Sequence, residues 1–276
     1  MKKNLQDWVG NTEKRHETIH QQSLDGFAAL MDKDVPAPTF VPPGVHWMYF
    51  LPTTKQSQLA LDGHSHKGGF LPPIELPRRM WAGGRIRFFR PLQSGDSVDK
   101  VSTVTSVAEK EGRTGKLVFV TVEHKISDND GVYIEEETDI VFRDAPAADA
   151  PKKPPELAPD DAEFEEVITP DPVMLFRYSA LTYNGHRIHY DRDYVTQEEG
   201  YPGLLVHGPL IGTLLMKLAT DNMPGKSLKS FEFRNQNPVF DIAPFSICGK
   251  KLDENSCEVW AKGPDGELAV KAVAKF

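Results

Sequence analysis

The feature that most constrains the fold is an apolar helix that the sequence predicts at Gly208. Pro209 suits its first turn, because a helix needs no N–H donor there. Leucine and isoleucine then recur at helical spacing and form one apolar stripe, at Leu210, Ile211, Leu214, Leu215 and Leu218. The run Asn-Met-Pro-Gly at 222–225 ends it. We therefore predict a helix over about 208–221, surrounded by other segments, and the small Gly212 lets a neighbour approach closely.

A polar segment leads into this helix and carries three of the chain's nine histidines, His186, His189 and His207. The helix N-terminus at Gly208 offers N–H groups without intrahelical partners and a partial positive charge. A helix end of this kind can stabilise an oxyanion that develops during a reaction. The segment 179–213 is therefore the candidate functional centre.

This segment resembles the signature of MaoC-like, hotdog-fold enoyl-thioester hydratases, which runs roughly L-S-G-D-x-N-P-x-H. The residues LTYNGHRIH at 181–189 lie on it, with the last histidine matched by His189. The following VHGPL is similar to the family's His-Gly opening of a central helix. The resemblance is specific over about 179–218, and its nearest branch contains mesaconyl-CoA hydratases and type 2 hydroxyacyl-thioester dehydratases. It departs at Asn184, where the family has a catalytic Asp.

The resemblance implies an α+β double hotdog, in which two copies of an antiparallel sheet each wrap around a central helix. It also implies a hydro-lyase that adds water to, or removes it from, a short α,β-unsaturated acyl thioester such as mesaconyl-CoA. Only the second copy carries the histidine motif. The first copy is then the degenerate partner that supplies half of the substrate tunnel.

Hydration of such a thioester needs an activated water, a proton for the α-carbon and donors for the thioester oxygen. His189 is the expected general acid/base, since imidazole titrates near neutral pH. The N–H groups near Gly208 are the expected oxyanion donors. Asn184 cannot take a proton, but its carbonyl can orient the water or its NH₂ can bind the thioester. Either His189 serves as both base and acid, which we favour, or Asp191 or His186 supplies the second role.

Three further residues of the segment are candidates for substrate binding. Arg187 stands ready to meet a substrate carboxylate, or alternatively to pair with Asp191 or Asp193. His207 is expected to position the site more than to react, and a simple cap or brace of the turn is the alternative. Tyr183 flanks the motif and either contacts the substrate or only packs.

Five arginines fall within the thirteen residues 78–90 of a chain whose net charge is −8. Guanidinium groups suit phosphate recognition, so Arg85, Arg87 and Arg90 are candidates for binding the phosphates of coenzyme A. This favours coenzyme A over acyl carrier protein as the thioester carrier. The equally weighted alternative is a solvated strand face, with Ile86 and Phe88 pointing inward.

No cofactor is expected beyond the coenzyme A of the substrate, and no metal. His186, His189 and His207 would offer three ligands for zinc, but no helical periodicity fixes how they face. His64 and His66 lie in a Gly-rich loop and are predicted to be surface residues. The irregular stretch around this loop is of the kind that often covers a functional site.

The chain length allows one large or two medium cores. A Pro/Ala-rich stretch at 145–161 predicts a linker, so 1–144 is expected to form the degenerate domain and 162–276 the catalytic one. Each half reads as a helix, a strand, a Pro-led bend and a three-strand meander. The predicted elements are a helix within 8–34, strands at 98–108, 116–126 and 131–142, then the 208–221 helix and strands at 231–234, 245–252, 256–262 and 267–275.

The net charge and the distribution of apolar residues argue against several classes of function. The net charge argues against nucleic-acid binding, and no apolar run reaches membrane length. The N-terminus lacks a signal-peptide apolar region, so a cytoplasmic location is expected. Cys248 and Cys257 flank a predicted hairpin turn and are expected to be free thiols. A homodimer is expected because closed two-fold assemblies are the commonest.

Two other functions remain open from the sequence. An acyl-CoA thioesterase would fit the same fold, since fold does not determine function. Asn184 disfavours it, because a thioesterase uses a carboxylate to activate water. A non-catalytic acyl-CoA binding subunit would fit if the Asp-to-Asn change marks lost activity.

Overall fold

A computed structural model describes residues 4–112, 115–144 and 154–276 of the chain. The described residues contain ten strands and four α-helices. In the first half these are β1 (Thr12–Thr18), α1 (Gln21–Leu30), β2 (Arg78–Phe88), β3 (Ser97–Gly112), β4 (Gly115–Asp128) and β5 (Gly131–Arg143). In the second half they are β6 (Phe164–Ile168), α2 (Pro172–Thr182), α3 (Arg192–Gln197), α4 (Gly208–Asn222), β7 (Ser230–Asn235), β8 (Phe245–Asp253), β9 (Ser256–Lys262) and β10 (Leu268–Lys275).

The ten strands form one antiparallel sheet in the order β1-β3-β4-β5-β2-β7-β10-β9-β8-β6. The first half contributes β1-β3-β4-β5-β2, and the second half repeats this order as β6-β8-β9-β10-β7. The two halves join where β2 pairs with β7, with Arg85 opposite Glu232. The predicted α+β double hotdog is therefore confirmed, and each strand of one half has a counterpart in the other.

Helix α4 lies in the core, as predicted, and extends over Gly208–Asn222. Almost its whole circumference is buried; the buried residues are Leu210, Ile211, Gly212, Thr213, Leu214, Leu215, Met216, Leu218 and Ala219. It packs against β7, β8, β9 and β10. A Cβ atom at Gly212 would lie 3.3 Å from the ring of Trp47. The close approach predicted at this glycine is thus made by a tryptophan ring from the first half.

The helix predicted within 8–34 is wrong in extent. Residues 12–18 form the edge strand β1, which pairs with β3, and α1 covers only Gln21–Leu30. Every residue of β1 is polar or charged, as is common in edge strands, so no apolar alternation marks it in the sequence. Between α1 and β2, the described part of the first half has only short 3₁₀ turns, of which Val45–Met48 is buried.

The predicted linker is described only in part, because residues 145–153 lie outside the described residues. Beyond them the chain runs beside the β9–β10 turn: the N–H of Ala158 donates to Gly266 and the N–H of Leu268 donates to Glu156. The domain boundaries at 144 and 162 stay predictions.

Two further expectations concern single elements. Cys248 and Cys257 are buried free thiols, as predicted. They are not opposite one another, because Cys248 pairs across the strands with Trp260 and Cys257 with Lys251. Among the described helices, none has the length and apolar character needed to span a membrane.

Candidate active site

A cavity of about 1600 Å³ lies between the two halves and is lined by both of them. The second half contributes α2, the histidine segment and the start of α4. The first half contributes β2 and the loop 52–66. The cavity reaches Trp47, Lys100 and Glu136 at its first-half end. This arrangement agrees with the expectation that the first half supplies part of the tunnel.

Helix α2 delivers the motif to the cavity. Asp171 caps its N-terminus by accepting hydrogen bonds from the next two N–H groups, and Tyr183 ends it in the left-handed conformation at φ +48°. Oδ1 of Asn184 then accepts the N–H of His186 at 3.0 Å, which tightens the turn. The carbonyl of Asn184 is therefore occupied. Its NH₂ has no partner within the described residues and is available to the cavity.

His189 is buried on the 3₁₀ turn Arg187–His189. Its Nδ1 lies 2.7 Å from the carbonyl oxygen of Leu205. Because a carbonyl can only accept, Nδ1 carries the proton and Nε2 keeps a free lone pair. Burial lowers the pKa of His189 to about 3 and outweighs the opposing hydrogen bond to Leu205. His189 is thus neutral at pH 7, in the state a general base requires.

His207 stacks on His189 with 3.8 Å between ring centroids and 16° between planes. Its Nε2 lies 2.8 Å from Oγ of Ser179, while its buried Nδ1 has no partner in the described part of the chain. Burial and then the charge of His189 lower the pKa of His207. His207 precedes α4 but makes no capping hydrogen bond. The geometry favours bracing of the His189 ring over the simple cap.

The N-terminus of α4 opens onto the cavity at Gly208. The first intrahelical bond runs from the N–H of Ile211 to the carbonyl of His207, so the N–H groups of Gly208 and Leu210 precede it. A Cβ atom at Gly208 would lie 3.2 Å from the ring of Trp81. The N–H of Gly208 can therefore donate to an oxygen in the cavity beside Trp81.

The loop 52–66 contributes residues that sequence reasoning missed. His64 Nδ1 lies 3.1 Å from Oδ2 of Asp62, and the His64 ring lies 4.1 Å from that of His186. The prediction that His64 is a surface residue is therefore wrong, whereas His66 is exposed as predicted. The signal lay in Gly63, at φ +90°, where a Cβ atom would lie 1.8 Å from the carbonyl oxygen of Gly185. Only glycine allows the loop to approach the motif so closely.

The three predicted histidines do not form the grouping that a metal would need. His189 uses Nδ1 for Leu205, and His207 uses Nε2 for Ser179. Within the described ranges, the group with metal-ligand spacing is instead Asp62, His64 and His186, whose ligand atoms lie within 4.8 Å of one another. Two of these, Asp62 and His64, already bond to each other.

The two alternative second acid/base groups differ in availability. His186 meets the His189 ring edge-on at 5.5 Å between centroids, and burial lowers its pKa to about 3. Asp191 instead caps α3 by accepting the N–H of Tyr194 and pairs with Arg187. Asp191 is therefore engaged outside the reaction centre.

Arg187 is engaged as well. Its Nε and Nη2 donate to Oδ2 of Asp191 at 2.9 and 2.8 Å, and its guanidinium lies 4.2 Å from the ring centroid of Tyr194. The alternative of pairing with Asp191 is therefore what the structure shows, and the substrate-carboxylate role is not supported. Tyr183 is 64% exposed and lines the cavity at its mouth.

The arginines proposed for phosphate binding lie away from the cavity. Arg85 pairs with Glu137 and Asp139, Arg87 pairs with Glu135, and Arg90 pairs with Asp128. Ile86 between them is buried. Their carboxylate partners and their facing correspond to the alternative, a solvated strand face. From the same cluster, Arg79 does line the cavity, and sequence reasoning did not single it out.

Comparisons with known proteins agree with this geometry. The model of the family described as hydroxyacyl-thioester dehydratase type 2 matches residues 44–241. A mesaconyl-C(4)-CoA hydratase from Chloroflexus aurantiacus is 44% identical over 272 residues, which cover 98% of this chain and 96% of the relative.

Solved structures confirm the fold. A MaoC-like dehydratase from Phytophthora capsici has a TM-score of 0.70 at 14% identity, covering 99% of this chain and 97% of that one. A Mycobacterium tuberculosis protein with a double hotdog fold has a TM-score of 0.56 at 15% identity, covering 97% and 96%. The resemblance predicted from the histidine segment is therefore confirmed.

Proposed function

The chain belongs to the hydroxyacyl-thioester dehydratase type 2 family and is a hydro-lyase, and we propose that it reversibly hydrates a short, branched dicarboxylic acyl-CoA of the mesaconyl type. The observation that carries the reaction type is the His189 tautomer, with a free Nε2 lone pair in a cavity beside the N-terminus of α4. The similarity to a mesaconyl-C(4)-CoA hydratase along almost the whole chain supports the acyl group.

In the proposed mechanism His189 acts twice. Its Nε2 takes a proton from water as the water oxygen bonds to the β-carbon, and negative charge builds on the thioester oxygen. The imidazolium then returns the proton to the α-carbon, so the C=C bond becomes a single bond and one water has been added. The low pKa of buried His189 means that the imidazolium readily gives its proton up.

The other residues of the site stabilise the developing negative charge and orient the water, the thioester and the His189 ring. The N–H groups of Gly208 and Leu210 hold the thioester oxygen, where fixed donors in a water-poor site are most effective. The free NH₂ of Asn184 binds the attacking water or the thioester oxygen, since its carbonyl is occupied by His186. His207 positions the His189 ring, and Tyr183 contacts the carrier at the mouth. The proposal needs no cofactor beyond coenzyme A, and His186 is the alternative second acid/base.

The test is a hydration assay on purified protein with crotonyl-CoA and both mesaconyl-CoA thioesters, followed by loss of the enoyl absorbance and by product mass. We expect gain of one water, with His189→Ala lowering turnover by about 10²–10⁴-fold. His20→Ala is the matched control, because His20 is exposed at the start of α1. Release of free thiol in place of hydration would point to a thioesterase. Unchanged turnover in His189→Ala would rule out the mechanism.

A homodimer is a further part of the proposal. Helix α2 exposes Val173 and Phe176 to solvent, 65% and 61% respectively, and residues three apart are neighbours on a helix surface. Adjacent exposed apolar side chains commonly mark an interface. Light scattering should give twice the 30.9 kDa of one chain, and Val173→Glu should lower it. A monomeric mass for the wild-type protein would contradict this part.

A further inference from the structure

We propose that Arg79 binds the free carboxylate of the dicarboxylic acyl group and so selects this class of substrate. The inference rests on the proposed function and extends it to a residue outside the histidine motif. Its basis is a guanidinium group that lines the cavity and has no hydrogen bond or ion pair with any described residue. Arg79 is half-buried. Withdrawing a charge from water without a partner is costly, so such a group is expected to have an anionic partner when the enzyme works.

Arg79 differs in this respect from its neighbours in sequence. Arg78 donates to the carbonyl of Glu199, and Arg85, Arg87 and Arg90 all pair with carboxylates. Of the arginines that the described ranges leave without a partner, Arg177 and Arg234 are exposed to water. Arg79 alone among the described arginines is both sheltered from solvent and without a partner.

The strand geometry directs Arg79 toward the reaction centre. Arg79 and Trp81 are two residues apart on β2 and therefore share one face of the sheet. Trp81 on that face contacts Gly208, the proposed oxyanion donor. Two residues of strand span roughly 7 Å, a distance that a short acyl group can bridge. A β-bulge between Trp81 and Gly83 reverses the facing beyond it, which turns Arg85 and Arg87 to the outside.

The charges around Arg79 leave its guanidinium free. Burial lowers the pKa of Arg79, and the negative charge of Asp62 opposes this shift. Asp62 lies near enough to act on Arg79 but uses its oxygens for the N–H and Nδ1 of His64. Arg79 therefore feels an attractive charge nearby without forming an ion pair, and its N–H groups can take a carboxylate in the bidentate manner.

The chemistry of the substrate explains the position. In a C4 thioester of mesaconate the free carboxylate is attached to the β-carbon, the atom that the water attacks. Its binding group must therefore lie close to the catalytic base. Arg79 approaches the base through His186: the charge of Arg79 acts on His186, and the His186 ring contacts that of His189.

The side chain of Lys100, at the first-half end of the cavity, also has no hydrogen bond or ion pair among the described residues. It differs from Arg79 in that its ammonium lies 5.8 Å from the ring centroid of Phe50 and interacts with the charge of buried Glu136. Phosphates of coenzyme A are a second source of negative charge, but a strongly hydrated diphosphate fits the open mouth better than the sheltered position of Arg79. The experiment distinguishes the carboxylate from the phosphates.

Binding is measured by calorimetry with succinyl-CoA and butyryl-CoA, which lack the reactive double bond and differ in the terminal carboxylate. We expect the wild-type protein to prefer succinyl-CoA by about 10- to 100-fold. Arg79→Gln should abolish the preference and Arg79→Lys should restore part of it. Arg234→Gln is the matched control, because Arg234 is an exposed arginine on the adjacent strand β7. Arg79→Gln removes an unpaired charge, so this variant should fold at least as well as the wild type. If the Gln variant does not fold, Arg79→Met is used in its place.

The outcomes separate this inference from the reaction type. No preference in the wild type, or a preference that survives in Arg79→Gln, overturns the carboxylate site. Equal weakening of both thioesters in Arg79→Gln assigns Arg79 to the phosphates and also overturns it. Because neither ligand turns over, a result here stands even if the hydration assay fails. Where hydration is observed, Arg79→Gln should lower kcat/KM for the mesaconyl thioester about 10- to 100-fold and change that for crotonyl-CoA far less.

Discussion

The two halves share one strand order but differ in the polar groups that they bury. The second half buries neutral histidines beside the N-terminus of α4. The first half buries a charged cluster around Glu136, which accepts hydrogen bonds from His46, Trp47 and Thr138. His46 and Trp47 belong to the 3₁₀ turn Val45–Met48. The sheet is duplicated, but among the described α-helices only α4 has its N-terminus at the cavity, where the proposed oxyanion donors lie.

The buried carboxylate of the first half, Glu136, differs from the buried histidines of the second half in its ionisation. Burial opposes ionisation of Glu136, but the hydrogen bond and charge of His46, with His124 and Lys100, lower its pKa to about 2. A permanently ionised, fully hydrogen-bonded carboxylate at this position is suited to holding the cavity wall rather than to exchanging protons. In the proposed mechanism the first half supplies a cavity wall, and the second half carries the proton-transfer group, His189.

The largest expected effect is a loss of turnover, caused by a substitution in the second half. His189→Ala removes the base, and turnover should fall by about 10²–10⁴-fold with little change in stability, because the ring is held by one hydrogen bond and a stack. Asn at this position would keep a donor for Leu205 and restore packing but not activity. Recovery of activity in His189→Asn would show that proton transfer occurs elsewhere.

The next largest expected effect is a loss of stability, caused by a substitution in the first half. Glu136→Gln removes the carboxylate that bonds to His46 and that offsets the charge of Lys100, and the free energy of unfolding should fall by about 3 kcal/mol. Urea unfolding followed by tryptophan fluorescence measures this change. The matched second-half variant, Asn184→Ala, should cost less stability, since Asn184 makes a single local hydrogen bond. A stable Glu136→Gln variant would mean that the cluster does not brace the wall.

The pH dependence tests both halves together. Burial lowers the pKa of His186, His189 and His124 to about 3 from the ordinary value of 6.5, and the charge of Lys100 adds to this at His124. The unfolded chain therefore binds these protons near pH 6.5, whereas the folded chain does so only near pH 3. Their contribution to stability is fully present above pH 6.5 and is lost as the pH falls from there toward 3, by up to about 1.4 kcal/mol per pH unit for each histidine.

The measurement is the urea midpoint at several values between pH 7 and pH 5. His124→Asn and His189→Asn should each reduce the slope by the share of one histidine. The rate constant kcat/KM should stay level over the same range, because His189 remains unprotonated. A fall of kcat/KM with a midpoint near pH 6.5, without unfolding, would contradict the low pKa of the base.

The sequence predicted the elements whose pattern is local. Helix α4 was found from its apolar stripe, and β7 to β10 were placed within one or two residues, because alternation and turn residues mark them. The short strand β6 and the helices α2 and α3 were not predicted. Strand β1 was missed because the residues of its pairing partner β3 lie 79 to 91 positions away in sequence and its own residues are all polar. Pairing over such a distance leaves no local periodicity.

Some residues of the candidate site could be predicted from a local sequence pattern, and others could not. His189, Asn184 and Gly208 follow one another within a single segment, so a motif could identify them. His64 and Arg79 reach the cavity from the other half through the loop 52–66 and β2. For Arg79 the bulge after Trp81 reverses the alternation, so counting back from buried Ile86 would place it on the outer face. The one-residue β-bulge after Trp81 is therefore why the sequence pattern did not identify Arg79, the only unpaired cation near His186 among the described residues.

The smallest predicted effect compares two glycines of α4. Gly208→Ala adds a Cβ atom 3.2 Å from Trp81 at the helix end, and Gly212→Ala adds one 3.3 Å from Trp47 in its middle. Both changes crowd a tryptophan and gain helix propensity, so their effects on stability should be similar and small.

Their effects on catalysis should differ. A shift of the N–H groups at Gly208 misaligns the oxyanion donors, so kcat should fall about tenfold, whereas Gly212→Ala should leave kcat near the wild-type value. Steady-state kinetics of both variants, beside their thermal unfolding, make the comparison. Equal losses of kcat would mean that the tryptophan wall, and not the helix N-terminus, limits the reaction, and the contrast between a catalytic half and a supporting half would have to be withdrawn.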